Sequence, residues 1–337
     1  MTNLTNFSVV IKKMIIPFIF LVLVIFLLTI IYNRFINKTE NKLPRVSPPA
    51  LQGLKQKAQK FQTTNLTIDN NQPESIYTFE TNISTNSVNV TEKLLNITKI
   101  KTEPIKSKDI NLGEGKLYST NEGFILAYEK AVVFQKAIKQ KLLKPLPQDI
   151  EPLKNSARDA LTRVLDTSQV SLEPKITYLK FSGEDLEESS KENATLIQFF
   201  FEYNAAGLPL ISNSPPISIN MDADSNLIKM DILLLPQLTQ QASYPTITSK
   251  SATGILEVGG GTLVKIESER EDAIAATSLG VVDLQRGYLA YYLDKHTNSI
   301  SPVWVFEGIG KTFNKDAHVL YIVPAIDAKY FSTPKQP

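Results

Sequence analysis

Cysteine is absent from this 337-residue chain, which excludes disulfides, thiolate nucleophiles, zinc–thiolate sites and acylation at a lipoprotein-type cysteine. Histidine is scarce. Only His296 and His318 occur, so a multi-histidine metal site is out of reach. Neither sign of charge is in excess: 36 basic residues face 34 acidic ones, for a net charge of +2. Nucleic-acid binding needs a clustered basic surface, so nucleic acid is not expected as a partner. Hydrophobic residues make up 42% and charged ones 21%, too apolar a mixture for general disorder. The length suits one large or two medium domains.

What is present begins with a long apolar run. "MIIPFIFLVLVIFLLTIIY", Met14 to Tyr32, carries no charge and is long enough to cross a bilayer as a helix. Pro17 falls in its first turn, where a missing N–H is tolerated. A cleaved signal peptide is the competing reading. Its apolar region is usually about 7–15 residues and ends at a small-x-small site, which the following "NRFINKTENK" does not offer. An uncleaved transmembrane anchor is therefore expected, with the bilayer as a partner. Lys12 and Lys13 precede the run, whereas Arg34, Lys38, Lys42 and Arg45 follow it. That count leans against export of the C-terminal part. The short N-terminal tail and the lack of a recognisable cytoplasmic module favour it. The expected location is a single-pass cell-membrane protein with an extracytoplasmic C-terminal domain.

Beyond the run, "LPRVSPP" reads as a stiff stalk and "ALQGLKQKAQKF" as a short helix on the spacing of Leu51, Leu54, Ala58 and Phe61. "NLTIDN", "SIYTFET", "NSVNVTEK" and "LNITKIKTE" alternate and are rich in Thr, Val and Ile, the signature of strands. "GKLYSTNEGFILAYE" reads as a hairpin about "TNEG". The Asn-x-Ser/Thr triplets at Asn65, Asn82, Asn89 and Asn96 read as coincidence in an Asn- and Thr-rich stretch.

"PQDIEPLKNSARDALTRVLDTS" is the strongest helix outside the apolar run. Asp149 can cap it, and Ile150, Leu153, Ala157, Leu161 and Val164 share a face. Strands follow in "KITYLKF", "ATLIQFFFEYN", "GLPLIS", "PISINMD" and "NLIKMDILLL", the first two linked by an acidic loop. The chain reads as irregular from Pro236, then as a helix in "SKSATGILEVGGG", closed by strands "GTLVKIES", "RGYLAYYLD", "SPVWVFEG" and "AHVLYIVPA". A helical turn fits Glu271 to Leu279. The expected class is α+β, an N-terminal single transmembrane helix followed by mostly antiparallel sheets with a few short helices. The expected organisation is a tail (1–13), the anchor (14–32), a linker (33–50), a strand-rich part (51–140), an α+β domain (141–331) and a tail (332–337).

Three stretches carry a resemblance to a known family. "FFFEYNAAGLPLISNSPPISINMDADSNLIKMDI" places an aromatic strand before a Gly-x-Pro turn and two strands. "YPTITSKSATGILEVGGG" is a helix ending in glycines, with Ser251 where an acidic residue often stands. "LAYYLDKHTNSISPVWVFEG" is a closing hairpin containing Pro302 and Trp304. Over about residues 170–325 this resembles the YycH and YycI family of membrane-anchored regulators. The resemblance implies an extracytoplasmic, mostly antiparallel α+β module without known catalysis, which modulates a membrane-bound sensor histidine kinase partly through its transmembrane helix.

The chemical candidates are few. His296 lies in the polar turn "DKHTNS" and His318 at a strand entry, so both read as structural rather than as members of a Ser-His-Asp triad. No Gly-x-Ser-x-Gly elbow or His-Glu-x-x-His motif is present. "DADSN", Asp222 to Asn226, could open a calcium loop, but a strand follows where the loop would need its glycine and glutamate, so a hairpin turn is preferred. "VGGGTLV" lacks the residues of a phosphate-binding loop and reads as a helix stop. The acidic "GEDLEESSKEN" (Glu184, Asp185, Glu187, Glu188, Glu192) reads as a solvated loop, with a basic partner as the functional alternative. Glu307 could belong to a carboxylate pair of a glycosidase type. Tyr288, Tyr291, Tyr292, Trp304 and Phe306 are the candidate protein-binding surface. Alternation places Trp304 and Phe306 on one face, Val303 and Val305 on the other, and core packing is the competing reading.

The expected function is non-enzymatic, without cofactor or metal: regulation of, or sensing for, a membrane or envelope partner, a sensor histidine kinase by resemblance. The alternatives are a scaffolding component of an envelope complex and a hydrolase acting through His296 or Glu307. An oligomer fits any of these readings.

Overall fold

Alternation of apolar and polar residues carries most of the chain into strands. The structure is a computed structural model that describes residues 43–332 except 47, 50, 52, 55–57, 59, 70–71, 83–86, 110–111, 184, 213–215, 268–278, 295–298 and 313–314. Two compact units are present. The smaller takes residues up to Pro48 and Ala328–Pro337. Within it, the Val46 N–H donates to the Tyr330 carbonyl at 3.0 Å and the Ser332 N–H donates to the Val46 carbonyl at 2.8 Å, which makes Val46 and Phe331 a parallel bridge.

The larger unit, Pro49–Asp327, contains the strands. β1 (Lys60–Gln62), β2 (Thr67–Ile68) and β3 (Ser75–Asn82) precede helix α1 (Ser87–Thr98). β4 (Ile105–Asp109), β5 (Gly113–Thr120), β6 (Gly123–Tyr128) and β7 (Ala131–Lys136) form a meander before helix α2 (Glu151–Val164). β8 (Val170–Ser182), β9 (Asp185–Glu188), β10 (Leu196–Ala205), β11 (Leu208–Ile211), β12 (Ile217–Asp222), β13 (Leu227–Leu233) and β14 (Gln237–Pro245) lead to helix α3 (Ser249–Glu257). β15 (Thr262–Glu267), β16 (Val281–Asp294), β17 (Ser299–Thr312) and β18 (Lys315–Pro324) complete the unit.

Sixteen strands share one sheet. Its order runs β15-β18-β17-β16-β11-β10-β12-β13-β7-β6-β5-β4, with β8 beside β10 and β9 beside β8, while β14 and β3 pair separately. Strand β11 joins the two halves. It leaves β10 through a two-residue turn in which Ala206 and Gly207 have φ of +48° and +79°, the twist a tight hairpin requires. It then lies antiparallel to β10 (Ala205↔Leu208) and parallel to β16 (Leu210↔Tyr291). β1 and β2 add to the same edge of β16, also in parallel.

The core wraps both faces of the C-terminal strands. On one face Leu289, Trp304, Phe306, Tyr321 and Val323 pack with Ala252 and Leu256 of α3. On the other, Tyr288, Ala290, Tyr292, Val303, Val305 and Ile322 form a second cluster. A strand buried on both faces has a nearly unbroken apolar sequence, and "YLAYYL" in β16 fits that rule.

Several expectations are corrected. The α+β class gives way to a mostly-β architecture, because the strands are long (β16 and β17 have 14 residues each) and only three α-helices stand among the described residues. Among those residues no helix is long and apolar enough to cross a membrane, so the architecture of the described residues includes no transmembrane helix or signal anchor. The run Met14–Tyr32 lies outside the described residues. The helix expected over 51–61 is absent from its described residues: the Leu54 N–H donates to the Leu263 carbonyl at 2.7 Å, and a Cβ on Gly53 would lie 2.8 Å from that same oxygen. That segment lies alongside β15 and ends in β1.

The strands expected in "NSVNVTEK" and at the start of "LNITKIKTE" are instead helix α1, which ends at Thr98. Val88 is 62% exposed while Val90 and Leu94 are buried, so the helical period prevails over the β propensity of the valines and threonines. The irregular stretch after Pro236 is β14, paired with β3. The acidic loop contains β9, which forms a hairpin with β8. Residues on both sides of position 140 lie in the larger unit, where β7 pairs with β13.

Candidate functional site

Register across four strands brings a row of charged groups together. Lys265 of β15 lies opposite Leu320 of β18, Leu320 opposite Glu307 of β17, and Glu307 opposite Arg286 of β16. Two residues along, Glu267 is opposite His318 and His318 opposite Ile309. Side chains two apart on a strand share a face, so both rows point the same way. Irregularities between Leu263 and Lys265 and between Leu284 and Arg286 shift the alternation locally, as bulges do. The rows line a cavity of about 410 Å³, to which Lys175 of β8 and Gln285 also contribute.

The charges in this cleft are paired. The Arg286 guanidinium donates to both carboxylate oxygens of Asp69, at 2.8 and 3.3 Å, a fork geometry that Lys could not reproduce. It also lies 4.7 Å from the centre of the Tyr288 ring, within cation–π range. The Tyr288 hydroxyl donates to Glu307 Oε1 at 2.8 Å. Burial pushes Tyr288 well above the ordinary tyrosine range, and the Glu307 carboxylate pushes it further, so it stays a hydrogen-bond donor at any physiological pH. The hydrogen bond to Asp69 raises Arg286. Lys265 pairs with Glu267 on its own strand, and Lys175 with Glu202 at 2.8 Å. His318 is exposed on the floor of the cleft. The arrangement presents alternating positive and negative groups to whatever enters.

The other sequence candidates have structural roles where they are described. Tyr288, Tyr291, Tyr292, Trp304 and Phe306 are all buried, with Tyr288 the most exposed at 8%. Trp304 and Phe306 belong to one of the two core clusters and Tyr288 and Tyr292 to the other, so these side chains pack in the core rather than forming one exposed surface. The Trp304 Nε1–H donates to the Ile247 carbonyl at 3.0 Å, and the Tyr291 hydroxyl donates to the Tyr77 carbonyl at 3.0 Å. Asp222 is a turn residue: its Oδ1 accepts from the N–H groups of Asp224 and Asn226 at 3.0 and 2.9 Å, and its Oδ2 from the Asn226 amide at 2.9 Å. Asp224 pairs with Lys144 at 2.9 Å. The glycines after α3 end it, the Gly259 N–H donating to the Leu256 carbonyl at 2.8 Å. His296 lies outside the described residues. No group of three His, Asp or Glu side chains among the described residues is placed to hold a metal.

Glu307 and His318 stand out in the sequence as polar residues beside apolar strands, whereas no motif marks their neighbours Lys265, Glu267 and Arg286. The available signal was the charge at alternate positions of the otherwise apolar β15. A second cavity, about 740 Å³, lies between the first turns of α1 and strands β4 to β6 and is lined by Lys106, Lys108, Lys116, Glu92, Glu114 and Tyr128 among others.

No family model matches the chain, and no curated protein matches it. Among solved structures it is similar to the crystal structure of an uncharacterized protein from Eubacterium rectale ATCC 33656. The match is at 15% identity, covers 78% of this chain and 89% of that one, and has a TM-score of 0.50. At that identity the likeness concerns the fold alone.

Proposed function

We propose that this chain is a non-enzymatic binding protein that regulates a partner protein of the cell envelope. The observation that carries this reading is the cleft of alternating charge over β15–β18. Its ion pairs are partly open to solvent: the side chains of Arg286 and Asp69 are 52% and 44% exposed, those of Lys265 and Glu267 39% and 60%. Exposed pairs of this kind contribute about 0–1 kcal/mol to stability. A partner can therefore exchange them for its own charged groups at small cost, which suits reversible recognition. Glu307, the one carboxylate weighed for hydrolysis, is engaged by the Tyr288 hydroxyl. The envelope setting and a sensor kinase as partner rest on the sequence resemblance to YycH and YycI.

A photocrosslinking residue placed at Lys265 in whole cells tests the proposal, with the 85% exposed Val258, which does not line the cleft, as control position. We expect position 265, and not 258, to capture an envelope sensor protein. Equal capture from both positions overturns the assignment of the cleft. A purified chain whose turnover of a glycoside disappears with Glu307→Gln overturns the non-enzymatic reading.

A further inference from the structure

Two of the end strands of the large sheet, β4 and β9, carry opposite charges. β4 ends the main strand order and pairs only with β5; β9 ends the side branch and pairs only with β8. The sequence of β4 is IKSKD, that of β9 DLEE. Lys106 and Lys108 share one face of β4. Asp185 and Glu187 share one face of β9. Each edge also exposes an apolar residue on its opposite face, Ile105 at 63% and Leu186 at 41%. Among the described residues Lys106 and Lys108 form no ion pair; Lys108 stands opposite Glu114, but Lys106 stands directly opposite another cation, Lys116. Like charges facing across a strand pair are unfavourable, so this edge has an electrostatic reason to attract carboxylates. Asp185, Glu187 and Glu188 form no ion pair among the described residues, and Glu187 stands opposite Lys180 of β8.

From this complementarity we infer that a second copy of the chain occupies the β4 edge, laying its own β9 alongside as an added strand. Such pairing would satisfy the outward backbone groups of both edges. It would set Lys106 and Lys108 against Asp185 and Glu187 on one face, and Ile105 near Leu186 on the other. The alternatives within a pair of copies are disfavoured: β4 against β4 places lysine against lysine, and β9 against β9 places carboxylate against carboxylate. The contact is heterologous, so a pair of copies keeps one edge of each kind open and association continues beyond a dimer unless a ring closes. An interface of so few residues, with its charges near the surface, is weak and sensitive to salt.

Sedimentation velocity on the full chain tests this with two charge-reversed variants, Lys106→Glu/Lys108→Glu and Asp185→Lys/Glu187→Lys. The wild type is expected to associate with rising concentration, less so at high salt. Each variant alone should associate about tenfold more weakly, since two attractive cross-strand pairs become repulsive. Mixing the two variants should restore association, because the acidic β4 of one then meets the basic β9 of the other. All four positions are exposed, and unchanged circular dichroism of each variant will confirm that folding is intact. A monomeric wild type, variants that associate like the wild type, or a mixture that fails to recover each overturns the proposal. None of these outcomes bears on the cleft, so the two assignments stand or fall separately.

Discussion

Replacing Trp304 by Phe probes the centre of the fold. Trp304 is the only tryptophan, is 1% exposed, lies with its ring 6.1 Å from that of Phe306, and ties β17 to the entry of α3 through the Ile247 carbonyl. The substitution removes that bond and leaves a largely desolvated carbonyl short of a donor, at a cost of about 1–2 kcal/mol. The smaller ring leaves a void that adds about 1 kcal/mol. The expected destabilisation is therefore about 2–3 kcal/mol. Urea unfolding followed by far-ultraviolet circular dichroism measures it in both proteins, since the variant has lost its fluorophore. In the wild type the single emission should also be blue-shifted and poorly quenched by acrylamide. A loss below about 0.5 kcal/mol, or ready quenching of the native protein, would refute the placement of Trp304 between β17 and α3.

Tyr203 and Tyr291 are pushed above the ordinary value of 10 by burial, as is Tyr288 with the added effect of Glu307. A folded pKa above the unfolded one means that stability is intact below pH 10 and falls as pH rises beyond it. Absorbance titration should show these tyrosines ionising together with unfolding, and smooth ionisation in a still-folded protein would contradict their burial. At the acid end, Glu173 is held below its ordinary 4.5, first by its hydrogen bond to Lys154. Its contribution is present above that value and is lost as pH falls through the lower folded pKa, so Glu173→Gln should flatten the acid limb of a plot of Tm against pH. Two glycine substitutions should have opposite signs. In Gly308→Ala the new Cβ would strike the Asp283 carbonyl oxygen and lie 3.1 Å from the Leu284 Cα, costing about 1–3 kcal/mol. In Gly254→Ala, within α3, nothing lies within 4 Å, and a gain of about 0.5–1 kcal/mol is expected. Thermal unfolding of both variants checks the pair.

The features that could be read in advance were those with a strong local period or a local turn. Helix α2 shows Leu153, Ala157, Leu161 and Val164 buried on one face, with Asp149 Oδ1 accepting from the Glu151 N–H at 3.0 Å. The hairpin of β5 and β6 closes at Thr120↔Gly123, about the expected "TNEG". The turn at Asp222 is built from its own side chain. Helix α1 was hidden because its threonines and valines favour strands by propensity, and only packing on β6 and β7 selects the helical period. β9 and β14 were hidden for a related reason: a strand that is polar or exposed has no apolar alternation to announce it, and partners more than a hundred residues away, such as β3 for β14, leave no local trace.

By itself the sequence determined the absence of thiol chemistry, the apolar run near the start, and the strand character of β16 and β17, because composition and short-range alternation depend on nothing distant. The candidate site was decided only in three dimensions. Arg286, Glu307, Lys265 and His318 belong to four strands, and pairing register, together with the irregularities at Leu263/Lys265 and Leu284/Arg286, aligns them on one face. The same register buries Trp304 and its neighbouring aromatics, since β16 and β17 are covered on both sides along the stretch that holds them. Whether an alternating strand is half-exposed or enclosed depends on what packs against its second face, and that is a property of the fold rather than of the strand.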